Sequence, residues 1–146
     1  MRLRSAYIPG LLLVSMLISN SAVAASKAVQ YLANQEITEA CDGADGKFEA
    51  GGLIERDLDG DGRADLVLSH EGISCRRNFS RSGFCGAQVC TVKIYLRRGN
   101  LLKLVDEFLG AGVKVGGGKR PKITAFGHGG GKTVVRRNGS SFADAK

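Results

Sequence analysis

The chain has no Trp, two Pro, two His and only nine aromatic rings, six Phe and three Tyr. So few rings argue against nucleic acid as a partner, because a single-strand platform stacks successive bases on aromatic side chains. No C-x-x-C pair occurs, which removes the thioredoxin-type redox motif. G-x-S-x-G is also missing, and with it the nucleophile elbow that the His128-Gly129-Gly130-Gly131 stretch would need to serve as an oxyanion hole. Gly131-Lys132-Thr133 resembles the close of a phosphate loop, but the glycine required five residues earlier is Phe126. No repeat of solenoid or propeller period is present. After the N-terminal stretch no apolar run approaches the roughly 20 residues that cross a bilayer, so no transmembrane segment is expected.

The N-terminal stretch has its own pattern. Arg2 and Arg4 precede LLLVSMLI (11 to 18) and the small-residue exit SAVAAS (21 to 26), the three parts of a secretory signal peptide. Residues 1–24 are read as that signal, with cleavage near Ala24 and a periplasmic or secreted product. Residues 25–146 then form one domain of 122 residues, enough for a single modest core. All four cysteines, Cys41, Cys75, Cys85 and Cys90, fall in the exported part, and an even count in an oxidising compartment reads as two disulfides. Three pairings are open. The expectation is Cys85–Cys90, a short ring, with Cys41–Cys75 as the long tie.

Charge is divided unevenly. Residues 25–75 carry 4 basic and 11 acidic side chains, whereas residues 76–146 carry 15 and 3. The acidic half invites a cation. The basic half, with Arg76, Arg77, Arg97, Arg98, Lys119, Arg120, Arg136 and Arg137 as its candidate anion-binding residues, invites an anionic envelope polymer or protein partner. Oligomeric state is not legible.

Ser26 caps a helix over KAVQYLANQEITEA, where Val29, Leu32, Ala33, Glu36, Ile37 and Ala40 recur at helical spacing, and CDGADG ends it. The remainder reads as short strands. DLVLSH places Leu66, Leu68 and His70 on one face, which makes His70 a half-buried packing residue. CTVKIYLRRGNLLKLVDEF is a hairpin turning at Gly99-Asn100, GVKV, PKITAF and KTVVRR follow, and Asn138-Gly139 is a second turn. The fold class is α+β and mainly antiparallel β, with one N-terminal helix packed on a meandering, disulfide-stapled sheet.

The densest chemistry is RDLDGDGRADLVLSH, residues 56 to 70. Counted from Asp57, carboxylates stand at positions 1, 3, 5 and 9 (Asp57, Asp59, Asp61, Asp65), Gly62 at 6 and the Arg63 carbonyl at 7. Alternate short carboxylates on a tight turn converge on a point, and an all-oxygen set suits a hard ion such as Ca²⁺ rather than zinc. Position 12, the bidentate glutamate of an EF-hand, is Leu68, and strand rather than helix follows. The loop resembles the D-x-D-G-D-G-x-x-D loops of FG-GAP and VCBS repeat proteins, which implies calcium at a strand-loop-strand corner, with the ninth residue closing the shell. Signal, Asp loop, FCGAQVC and the terminal VVRRNGSSF together resemble small secreted proteobacterial proteins, which implies an exported single domain and no particular activity.

The sequence therefore predicts an exported, calcium-binding, non-catalytic binding or envelope-structural module. The alternatives are a small secreted hydrolase using the acidic loop and a histidine, or an enzyme inhibitor presenting the tied loop 75 to 90.

Overall fold

A computed structural model describes residues 25–77, 80–138 and 141–144. The signal-peptide reading (1–24) and the Gly139 half of the second turn lie outside the described residues.

Helix α1 (Lys27–Ala40) starts where expected: the Ser26 hydroxyl accepts the Val29 N–H at 3.4 Å, meeting one of the orphan donors of the first turn. It stops at Cys41, after which Asp42 and Gly43 take positive φ (51° and 74°) and the Gly43 N–H returns to the Thr38 carbonyl at 2.8 Å, closing the last turn. The stripe α1 buries is Val29, Ala33, Glu36 and Ala40. One of these four is a carboxylate.

Among the described residues nine strands follow: β1 (Gly46–Phe48), β2 (Leu53–Arg56), β3 (Asp65–Ser69), β4 (Ile73–Cys75), β5 (Cys90–Arg98), β6 (Leu101–Val115), β7 (Ile123–Phe126), β8 (Lys132–Asn138) and β9 (Ser141–Asp144). Seven form one antiparallel sheet in the order β2-β3-β5-β6-β7-β8-β9, and β1 pairs with β4 as a separate ribbon. The fold is thus the α+β, mainly antiparallel, disulfide-stapled one that the sequence predicts. Period-2 alternation sorts the side chains of β3 and β5 between two faces. Val67, Val92, Ile94 and Leu96 join Ile123 and Val135 on one side. Leu66, Leu68 and Tyr95 meet Val29 of α1 on the other.

Two features depart from the strand-by-strand reading. LLKLVDEF and GVKV are one 15-residue strand, β6, whose first part pairs with β5 and whose last part pairs with β7. The curl this requires passes through Gly110, where a Cβ would lie 2.8 Å from the Ala125 Cβ, and Gly112, at φ 59°. His70 is not the last residue of β3 but opens a 3-10 turn (His70–Gly72), and it is fully buried rather than half-buried.

Both expected disulfides form, Cys41–Cys75 across 34 residues and Cys85–Cys90 across 5. The first ties the end of α1 to β4. On the chain-entropy view the longer loop contributes about 3 to 4 kcal/mol and the short ring about 2 kcal/mol.

Candidate metal centre

The acidic segment is the loop between β2 and β3, closed at its base by the pairing of Arg56 with Asp65. Its path follows from its own short side chains. Asp57 Oδ1 accepts the Gly60 N–H at 2.6 Å and its Oδ2 the Gly62 N–H at 2.9 Å. Asp59 Oδ1 accepts the Asp61 N–H at 3.2 Å, and Asp61 Oδ1 the Arg63 N–H at 2.8 Å. These are turns in which a carboxylate replaces a backbone carbonyl. They require left-handed backbone at Gly60 and Gly62, both at φ 83°. Leu58, alone among the loop's first six residues, is apolar. It is 1 % exposed and packs with Val67, Ile94 and Ile123. Burial of that side chain, worth about 1.5 to 3 kcal/mol, pegs an otherwise polar loop to the core.

Asp57, Asp59 and Asp61 each bring one oxygen within 4.8 Å of the others, an arrangement that could hold a metal ion. Asp65 stands apart. It is completely buried, with Oδ2 accepting the Leu58 N–H at 2.8 Å and Oδ1 the Arg97 N–H at 2.7 Å. Its carboxylate thus fastens the peg residue and β5 to the loop base. Two of its roughly four lone-pair positions remain. Burial raises the Asp65 carboxyl above its ordinary value, against the two amide bonds, while the Arg63 guanidinium and amide hold Asp61 below its own.

The loop also has arginine counter-ions, one of its own and one from β5. Arg63 grips Asp61 Oδ2 through Nη2 at 2.7 Å and Nε at 3.0 Å, and Arg98 Nη1 lies 3.2 Å from Asp59 Oδ2. Four aspartates in nine residues are therefore partly neutralised before any cation arrives. Arg63 was legible, being in the loop; Arg98 comes from the far end of β5.

The expected basic set is divided by these contacts. Arg97 is 15 % exposed, donating to the Ala64 carbonyl at 2.7 Å and to the Ser26 hydroxyl at 2.9 Å, with Glu55 at 3.9 Å. Arg98 faces the acidic loop. Arg76, on the β1–β4 side, has Asp45 at 3.7 Å. Arg77, Lys119 and Arg120 are exposed, the last two running past Gly60 of the acidic loop. Side chains of Arg136 and Arg137 are outside the described residues.

A second polar constellation lies under α1. Glu36 is 6 % exposed, and its carboxylate accepts Lys93 Nζ at 2.8 Å on both oxygens and the Tyr95 hydroxyl at 2.9 Å. His70 Nε2 stands 3.0 Å from Glu36 Oε2, at ion-pair distance but off the line of a hydrogen bond. On the other side of the ring, His70 Nδ1 lies 2.9 Å from Ser82 Oγ, which already accepts the Phe84 N–H at 3.1 Å. With the hydroxyl hydrogen pointed at Nδ1, a neutral imidazole carries its proton on Nε2, facing the carboxylate; with the opposite tautomer Nδ1 donates to the second lone pair of Ser82 Oγ. The Phe84 ring closes the assembly, 4.8 Å from the His70 ring and 5.6 Å from Lys93 Nζ.

Burial by itself would push the Glu36 carboxyl up; His70, Lys93 and Tyr95 together outweigh it and hold it at about 2, against an ordinary 4.5. The same burial, with the carboxylate beside it, pushes the Tyr95 phenol well above its ordinary value. Serine, histidine and glutamate stand here in the order of a nucleophilic relay. Ser82, however, is 3 % exposed and His70 fully buried, so a substrate has no approach to the hydroxyl. His128 is exposed, on the turn before β8.

The Glu36 cluster was missed because its members read as ordinary parts of their elements. One signal was present: a glutamate in the apolar stripe of α1, which demands a buried cation or donor. Lys93 and Tyr95, two apart on β5, supply both.

No family model, curated protein or solved structure matches the chain.

Proposed function

We propose that the chain is an exported binding or envelope-structural module, free of catalytic chemistry, whose β2–β3 corner is fixed by calcium and whose basic residues meet an anionic polymer or protein. The observation that carries this reading is the convergence of Asp57, Asp59 and Asp61 on one point of a loop already pegged by Leu58. The donors are all oxygen, as a hard cation prefers, and a flexible shell of six to eight favours calcium over magnesium. The loop spacing offers the Arg63 carbonyl and Asp65 as further ligands, and since Asp65 lies outside the three-aspartate group its approach requires the loop to tighten around the ion. A bound ion displaces Arg98 and Arg63 from the carboxylates and takes over their neutralising role. Two disulfides suit an extracytoplasmic module, and among the described residues no helix is long and apolar enough to cross a membrane.

The partner surface is carried by Arg76, Arg77, Lys119 and Arg120, exposed members of the basic set that, unlike Arg98, do not pair with the acidic loop's carboxylates. Binding to lipopolysaccharide vesicles at two salt concentrations, in calcium and in chelator, tests it. Salt-sensitive binding that weakens in a Lys119→Ala/Arg120→Ala double variant and survives His128→Ala supports the reading. Turnover of a substrate that His128→Ala abolishes contradicts it in favour of a hydrolase.

A further inference from the structure

The two disulfides sit in unlike surroundings. Cys41 and Cys75 are both buried, packed with Ala40 and Ile73, and Cys75 Sγ faces carbonyl oxygens, Ala40 O at 3.7 Å and Arg81 O at 4.0 Å. Cys85–Cys90 closes a small ring at the start of β5. There Cys90 is buried and Cys85 half-buried, and the Arg81 guanidinium reaches Cys90 Sγ at 3.4 Å through Nη2 while Nη1 holds the Gly86 carbonyl at 3.3 Å.

Thiol exchange needs an accessible sulfur to attack and a second sulfur able to leave as a thiolate, which a neighbouring cation favours and neighbouring carbonyl oxygens oppose. Cys85 offers the first and Cys90 the second. Cys75 has the opposite environment.

The ring also holds something in place. Phe84 and Ser82, the residues that cover His70, lie just before Cys85. They are fastened through it, with the Thr91 N–H donating to the Phe84 carbonyl at 3.0 Å and the Cys85 N–H to the Ser82 carbonyl at 3.0 Å.

We propose that Cys85–Cys90 is an exchangeable disulfide, opened by an external dithiol, and that the ring is a clasp whose opening uncovers the Glu36–His70–Lys93 cluster. A thiolate of the dithiol attacks Cys85 Sγ, forming a mixed disulfide as the S–S electron pair passes to Cys90 Sγ beside Arg81. The dithiol's second sulfur then attacks its own partner in the mixed disulfide and releases Cys85. The dithiol leaves as a disulfide, oxidised by two electrons, and its two protons end on Cys85 and Cys90. The step is independent of the acidic loop, so a failure of calcium binding leaves it standing.

The oxidised protein is incubated with dithiothreitol under native conditions, quenched with iodoacetamide at intervals and mapped by mass spectrometry. Alkylation of Cys85 and Cys90 while Cys41–Cys75 stays intact is the expected result. Arg81→Gln should slow ring opening by about threefold or more, and Arg81→Lys should restore most of the rate. In parallel, NMR of the two histidines should show the His70 ring resonances shifting on selective opening while the sheet amides hold. Opening of Cys41–Cys75 first or together with the ring, an unchanged rate in Arg81→Gln, or unmoved His70 resonances in the opened protein would each overturn the proposal.

Discussion

The acidic loop and the Glu36 cluster both gather carboxylates and cations from elements far apart in sequence, yet one stands at the surface and the other beneath a helix. In the loop, Asp61 is exposed while Asp57 and Asp59 are partly buried, the Arg63 and Arg98 partners are half-exposed, and the shape is set chiefly by backbone turns and by Leu58. Under α1, Glu36 has exchanged water for Lys93, Tyr95 and His70, so its partners are its only compensation. Ion pairs that look alike in distance therefore differ in consequence. An exposed pair contributes about 0 to 1 kcal/mol, while the loss of one member of a buried set strands the others uncompensated.

The largest expected effect breaks the buried side. Glu36→Ala leaves Lys93 and His70 without their carboxylate and should destabilise the protein by about 3 to 5 kcal/mol in chemical denaturation, equally with and without calcium. Leu58→Ala tests whether the loop is pegged from below. A cost of about 2 to 5 kcal/mol, typical of a buried leucine, is expected in the same assay, whereas a value near zero would mean that the loop holds its shape from its turns alone.

Acid should separate the two regions next. The folded Glu36 carboxyl, held at about 2, lies below its ordinary 4.5. Its contribution is present above 4.5 and is lost as pH falls from there towards 2, up to about 3 kcal/mol in all. Stability measured over that window should drop in the wild type and drop less in Glu36→Gln. The smallest effect belongs to the surface. Arg98→Ala, removing a half-exposed partner of Asp59, should cost under about 1 kcal/mol without calcium and should tighten calcium binding, because the ion no longer competes with a guanidinium.

Legibility in sequence also divides along this line. The acidic loop was readable because its information is local: alternate aspartates, two glycines free to take positive φ, and a strand, Asp65–Ser69, that leaves the loop and contains Leu68. The Ser26 cap and the Gly99-Asn100 hairpin were readable for similar reasons of short range, and compartment and parity gave two disulfides while leaving the choice among three pairings to the fold. The Glu36 cluster needed four elements to meet. His70 alternates correctly as a packing residue, and only the turn that breaks β3 after Ser69 directs its ring at Ser82 and Glu36. Arg97 and Arg98 likewise read as a free basic tip until β5 is laid beside the loop, where one accounts for Ala64 and Ser26 and the other for Asp59. The long β6 was hidden because Gly110 and Gly112 look like a strand boundary, although they are a bend within one strand.

Thermal melting in 10 mM calcium against excess chelator tests the central claim most directly, on the wild type, Asp57→Ala and Glu36→Gln. For an affinity in the range of extracellular calcium modules, the account predicts a wild-type rise of about 5 to 10 °C. The rise should be abolished in Asp57→Ala and retained in Glu36→Gln from its lower baseline. A wild-type melting temperature that calcium leaves unchanged would contradict it.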